Sequence, residues 1–325
     1  MLSTRFTEMF GLDYPIMSAP MALHSGGTIA GGVSAAGGLG SFGGMTLKGP
    51  GWIEAEVETV RARTDRPFAI GFITPFLDFT APLFDTALAA GAPVVMFSFS
   101  DPRPWIERAA EAGAHTICQV QALADADLAV EAGADVLVVQ GNEAGGHTGH
   151  MALFPFLSAV ATRHPDVPLL AAGGIADGPT MAAALVAGAD GALVGTAFMA
   201  TPELVEIHDV FKDLIVGSDG TDTVFTKAWD VLGGLPWPES IGERVHRNRF
   251  SDTWDGREDE LRNQRGRVAA DHAYATENPD PETDHLPYGS AAGLVDAIRP
   301  AAEVMERICG NAEKILRSRP PSLLR

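Results

Sequence analysis

A short word, alanine–glycine followed by alanine or glycine, recurs along the chain. It stands at Ala36-Gly37-Gly38, Ala90-Gly91-Ala92, Ala112-Gly113-Ala114, Ala132-Gly133-Ala134 and Ala187-Gly188-Ala189. Each copy closes an alanine-rich segment and precedes an apolar run. Glycine just past a helix end takes a left-handed conformation that other residues resist. Each word therefore marks a helix stopping before a strand. The period is that of a βα unit, not of a solenoid repeat.

The apolar runs number eight: Pro15–Ala19, Leu39–Phe42, Phe68–Ile73, Val94–Ser98, Thr116–Val120, Val136–Gln140, Leu169–Ala172 and Ala192–Val194. Helical segments separate them, among them Gly51–Arg63, Pro104–Ala112, Leu123–Ala132, Leu153–Arg163 and Pro179–Ala187. Continuously apolar strands alternating with helices predict a parallel sheet covered on both faces, here a closed (β/α)8 TIM barrel of the α/β class. An open doubly wound sheet is the competing architecture. The barrel is expected over residues 1–201.

Beyond Thr201 the pattern changes. Residues 202–286 carry dense charge, Trp229, Trp237 and Trp254, and little strand pattern. They read as a mostly helical C-terminal insertion, or lid, over the barrel mouth, with Asp252–Asp271 a polar helix or loop and Asn278-Pro279-Asp280-Pro281 a break. Helical spacing returns at Leu294, Val295, Ile298, Val304, Met305, Ile308 and Ile315, so residues 287–325 are expected to end in a helix packing back on the barrel.

A length of 325 residues with 46% hydrophobic content supplies a sizeable core. The net charge of −19 argues against nucleic acid and anionic membrane as partners. The start MLSTRFTEMFG lacks the apolar core of a signal peptide. Two distant cysteines, Cys118 and Cys309, mark a reducing compartment rather than a disulfide. A cytoplasmic location is expected.

Three segments carry candidate chemistry. Gly141-Asn142-Glu143-Ala144-Gly145-Gly146-His147-Thr148-Gly149 follows the sixth apolar run. A glycine-rich turn bearing a histidine at a strand's C-terminal end is how a parallel barrel presents a group that moves protons near neutral pH. The seventh and eighth strands end in Gly173-Gly174 and Gly195-Thr196, where backbone N–H groups and a hydroxyl cradle phosphate in this fold. The first strand ends in Ser18-Ala19-Pro20-Met21, a flat floor for a ring, and Gln119 offers an amide from the fifth strand.

Other patterns carry less. Gly38-Leu39-Gly40-Ser41-Phe42-Gly43 matches the dinucleotide fingerprint letter by letter, but there the strand lies inside the motif instead of before it. His147, His150 and Glu143 lack the helical geometry that would make them metal ligands, and no metal site is expected. His150 reads as a surface or supporting residue, and the tryptophans as local packing anchors.

Pro15-Ile16-Met17-Ser18-Ala19-Pro20-Met21, Gly141–Gly149, Ala171–Asp177, Gly195-Thr196-Ala197-Phe198 and Ser290-Ala291-Ala292-Gly293-Leu294 together resemble the motifs of the nitronate monooxygenase family, formerly 2-nitropropane dioxygenase, which also holds flavin enoyl reductases and quinone reductases. The resemblance implies FMN at the barrel mouth. Gly173, Gly174, Gly195 and Thr196 would hold its phosphate. Ala19, Pro20 and Met21 would line its ring, with Gln119 at the polar edge. Gly145 and Gly146 would let the loop pass the cofactor. His147 would be catalytic and, with Ser290, line the substrate pocket. The implied reaction is oxidation of an alkyl nitronate with O2 to a carbonyl compound and nitrite, and the implied assembly is a homodimer. Three alternatives stay open: NAD(P)H-dependent reduction of a quinone or enoyl thioester on the same cofactor, a phosphate-binding barrel without flavin, and a barrel that binds a ligand without turnover. The resemblance assigns no role to Asn142.

Overall fold

The structure is a computed structural model that describes residues 2–275 and 279–323. Eight parallel strands form one sheet: β1 (Ile16–Ser18), β2 (Gly40–Gly43), β3 (Phe68–Ile73), β4 (Val94–Ser98), β5 (His115–Val120), β6 (Val136–Gln140), β8 (Leu169–Ala172) and β9 (Gly191–Val194). The order is β1-β9-β8-β6-β5-β4-β3-β2, and a parallel bridge between Met17 and Leu39 joins β1 to β2. The ring is closed, a (β/α)8 barrel of the TIM type. The glycines of the recurring word do what their spacing predicts: Gly37, Gly91, Gly113, Gly133 and Gly188 all have positive φ, between 74° and 108°.

Inward-facing side chains fill the barrel. Met17, Leu39, Val94, Met96, Ile117, Val136, Val138 and Leu170 form a buried cluster, which Phe6 and Phe10 of the helix Arg5–Phe10 join. The outward faces of the strands meet the helices in a second, larger core. The final helix, Ala301–Leu323, lies on the helix Gly178–Val186. A Cβ on Gly178 would stand 2.4 Å from the Asn311 Cβ, so the close crossing requires glycine there.

The segment after residue 201 holds the helices Asp209–Gly217, Ala228–Gly233, Arg249–Trp254 and Glu258–Ala275. It also holds two strands that the sequence reading left out, β10 (Thr223–Thr226) and β11 (Gly242–His246). They are short and half polar, so they show no clear apolar run. With β7 (Gly146–His147–Thr148) they form an antiparallel sheet of order β10-β11-β7. The glycine-rich loop is thereby stitched to the insertion. Trp229, Phe250, Trp254 and Leu261 give the insertion a small core of its own. Of the expected break at 278–281, Asn278 lies outside the described residues, and Pro279 to Pro281 are non-helical. Among the described residues, no helix is long and apolar enough to cross a membrane.

Candidate active site

Strand β6 ends at Gln140, at the mouth of the barrel. Its Nε2 donates to the His147 carbonyl at 3.0 Å. Its Oε1 accepts from Gln121 Nε2 at 2.9 Å and from Gln119 Nε2 at 3.2 Å. Three buried glutamines therefore anchor the backbone of the candidate catalytic residue to β5 and β6. Buried amides need such partners, since each unpaired one is costly.

The imidazole is held separately. His147 Nε2 lies 2.8 Å from Asp230 Oδ1, on the helix Ala228–Gly233. A carboxylate acceptor there places the Nε2 proton toward Asp230 and leaves Nδ1 as the free acceptor. Trp237 stacks on the ring, with centroids 3.6 Å apart and planes 13° from parallel. Phe99 and Phe76 brace Trp237 edge-on, at 5.2 and 5.0 Å. Phe99 itself sits at φ 76°. That conformation is strained for a bulky residue and persists only where packing enforces it.

A second dyad stands beside the first. Glu243 faces His147 across the β7–β11 ladder, and its Oε2 lies 2.7 Å from His285 Nε2. The His24 ring is 6.1 Å from that of His285. Burial pushes the Asp230 carboxyl up, against the pull of its bond to His147. Burial opposes the Glu243 charge as well, but His285 holds its carboxyl below the usual range. His285 is raised in return: burial works against its charge and Glu243 outweighs it. Burial, and then His285, pushes His24 down to about 4.

The other sequence-predicted residues gather at the same mouth. Gly173 and Gly174 have φ of 103° and 70°, a backbone only glycine adopts easily. A Cβ on Gly174 would meet nothing nearer than the Glu143 Cβ at 3.6 Å, and one on Gly195 only the Ala19 Cβ at 3.5 Å. Gly174 and Gly195 thus have room beside their backbones, whereas a Cβ on Gly173 would come within 3.0 Å of Ala144 N; N–H groups of such turns are of the kind that bind phosphate. Thr196 Oγ1 accepts from Gly289 N–H at 3.0 Å and keeps its own proton to donate. Pro20 is pressed on Gly71, where a Cβ would come within 2.4 Å of its ring. The Met21 carbonyl accepts from Ser25. The glycine backbones of the two turns and the Thr196 hydroxyl are donors of the kind a phosphate group takes.

The loop between β6 and β7 is fixed by its own residues. Glu143 accepts from the Leu153 N–H at 3.1 Å, at the start of the helix Leu153–Arg163. Gly145 meets the returning chain: a Cβ there would lie 2.4 Å from Gly289 N. Gly146 has φ 73° and an open side. Ser290 N–H donates to the Glu143 carbonyl at 3.0 Å, tying the C-terminal small-residue motif to the loop. Asn142 acquires a role: its N–H donates to the Met151 carbonyl, its amide to that of His150, and its carbonyl accepts from Arg244 Nε. His150 is exposed and packs edge-on against Phe225.

Sequence reasoning missed Asp230, Trp237 as a ring partner, Glu243, His285, His24, Gln121 and Gln140. The glutamines stand at strand ends and were open to inspection. His24 follows β1 and stands out by no local pattern, while Asp230, Trp237, Glu243 and His285 belong to the segment after residue 201, which the β7–β11 pairing ties to His147.

Comparison with known proteins gives a consistent result. The family model described as "Nitronate monooxygenase" matches residues 3–311. A Mycobacterium tuberculosis (3aS,4S,5R,7aS)-5-hydroxy-7a-methyl-1-oxo-octahydro-1H-indene-4-carboxyl-CoA dehydrogenase is 34% identical over 224 residues, 68% of this chain and 62% of that protein. The chain thus spans less than two thirds of that relative's length. FabK from Thermotoga maritima superposes with a TM-score of 0.86 at 30% identity, over 99% of this chain and 100% of the other. A nitroalkane oxidase from Streptomyces ansochromogenes gives 0.79 at 25% identity, over 95% and 98%.

Proposed function

The chain belongs to the nitronate monooxygenase family, and from that premise we propose that it is an FMN-dependent oxidoreductase that converts alkyl nitronates, and the nitroalkanes in equilibrium with them, to carbonyl compounds and nitrite with O2. The observation that carries the reading is the His147–Asp230 hydrogen bond beneath Trp237, at the mouth of a barrel whose last two parallel strands end in glycine turns.

Gly173, Gly174, Gly195 and Thr196 would hold the phosphate of FMN, and Ala19, Pro20, Met21 and Gln119 would border its ring. The bound flavin supplies the electron transfer between substrate and oxygen. The chain supplies the rest. His147 Nδ1 takes the α-proton of a neutral nitroalkane, and Asp230 steadies the imidazolium that forms. Gln140 keeps the main chain of His147 from drifting. Trp237, Phe99 and Phe76 form an apolar wall along one face of the imidazole, which strengthens its interaction with a charged partner. Ser290 borders the pocket.

Steady-state turnover of propionate 3-nitronate and of short nitroalkanes by the yellow protein tests the proposal. A His147→Asn enzyme that keeps FMN should lose nitroalkane turnover. Full activity in that variant overturns the base role.

A second reading is favoured by the CoA dehydrogenase at 34% identity. An acyl thioester is also a carbon acid, and the same imidazole would move a proton at its α-carbon. Anaerobic mixing with NADH separates this class: rapid bleaching of the flavin favours a reductase, and none favours the monooxygenase. The buried free cysteines Cys118 and Cys309 suit the cytoplasm, and a homodimer is the assembly we propose.

A further inference from the structure

One ring nitrogen of His147 and one carboxylate oxygen each from Asp230 and Glu243 lie within 4.8 Å of one another. Both carboxylates are more than nine-tenths buried, with side-chain exposures of 9% and 1%. Each uses one oxygen on a histidine: Asp230 Oδ1 on His147 and Glu243 Oε2 on His285. The other oxygen of each, Asp230 Oδ2 and Glu243 Oε1, is buried with no hydrogen-bond partner. Buried carboxylate oxygens without partners are costly, and two in one cluster call for a positive charge. The three donors come from three elements: β7, β11 and the helix Ala228–Gly233. They are therefore held in place before any ion arrives. His147, 19% exposed, gives the cluster contact with solvent.

We propose that His147, Asp230 and Glu243 form a binding site for a divalent transition-metal ion such as Zn2+, and that the ion inhibits the enzyme. One imidazole with two carboxylates is an N/O donor set that suits Zn2+, Co2+ or Mn2+ better than Ca2+. His285 keeps its bond to Glu243 Oε2 and orients that ligand, as outer hydrogen bonds to metal ligands do. The inhibition follows from tautomers. A metal on Nε2 takes the position of the proton now facing Asp230. The neutral imidazole then carries its proton on Nδ1, the nitrogen that must be empty to accept one from the substrate. The ion also engages the Asp230 oxygen that would steady the imidazolium. This second part rests on the reading of His147 as a base; the existence of the site does not.

Equilibrium dialysis of the FMN-loaded wild-type protein against Zn2+ alone tests the site. One ion per chain is expected, bound at least tenfold more weakly by Asp230→Asn and by Glu243→Gln. No stoichiometric binding to the wild type overturns the site, and so does binding that neither substitution weakens. The wild-type result decides even if a variant does not fold. In parallel, turnover of a neutral nitroalkane should fall in proportion to occupancy, while turnover of a preformed nitronate, which needs no base, should fall far less. Stoichiometric Zn2+ with undiminished nitroalkane turnover overturns the inhibition and the base role together, while the dialysis keeps the site.

Discussion

Gln140 reaches across the turn to the carbonyl of His147, 3.0 Å away, so the last residue of a barrel strand holds the main chain of the imidazole that stands over it. The position of that ring is therefore set twice, once through its backbone and once through Asp230. Removing either support should leave the residue present but misplaced.

Gln140→Leu should cost about 1–3 kcal/mol of stability, because the Gln119 and Gln121 amides and the His147 carbonyl each lose a buried partner. It should lower kcat more than it raises KM. Urea unfolding and steady-state kinetics check both, and a variant as stable and as active as the wild type would contradict the anchoring.

Asp230→Asn keeps a side chain of similar shape but removes the charge that fixes the tautomer. Nitroalkane turnover should drop by about 10²-fold or more, the scale of a general-base contribution. Its pH profile should shift as well, which a merely structural role for Asp230 would not produce. Oxidation of a preformed nitronate should be much less affected.

Gly145→Ala places a methyl group 2.4 Å from the Gly289 nitrogen, and backbone on both sides blocks relief. The expected cost is about 1–3 kcal/mol. Because the same segment carries Ser290 and the bond from Gly289 to Thr196, the variant should also retain less FMN after gel filtration. Thermal unfolding and the flavin-to-protein absorbance ratio report the two effects.

His24 titrates in the folded chain at about 4, against 6.5 as its ordinary value, because burial and then His285 oppose its charge. Between those two values the unfolded chain binds more protons than the folded one, so this group's contribution to stability falls as pH drops from 6.5 toward 4. Glu243, lowered by His285, acts in the same direction on the acid side. His285, raised by Glu243, acts oppositely: its contribution is present below 6.5 and is lost as pH climbs through its folded value. Urea midpoints between pH 4.5 and 7 should therefore fall toward acid, and His24→Gln should flatten the slope. An unchanged slope would show that His24 titrates alike in the folded and unfolded chains, and would overturn its depressed value.

The barrel was legible because its signals are local. Gly91, Gly113, Gly133 and Gly188 end helices with positive φ whatever lies beyond them, and the apolar runs after them need only be buried on both faces. His147 was legible for the same reason, being the one imidazole at the tip of a glycine-rich strand end. Asp230, Glu243 and His285 were not. They stand 83 or more positions from His147 in a segment without periodicity, and they converge only because Glu243 pairs with His147 in register. Strands β10 and β11 escaped notice because Thr223–Thr226 and Gly242–His246 mix polar and apolar residues without alternation, over too few positions to stand out from charged loops.

The ladder between β7 and β11 has one more consequence. Gly242, Glu243 and Arg244 are ladder neighbours of Thr148, His147 and Gly146, so the insertion and the glycine-rich turn are joined through their backbones. A hinge that swung the cover aside to admit a molecule would drag the imidazole with it. Traffic must instead pass around the roof, and swapping that roof between homologues would rewrite the reactivity of the histidine along with the shape of the doorway.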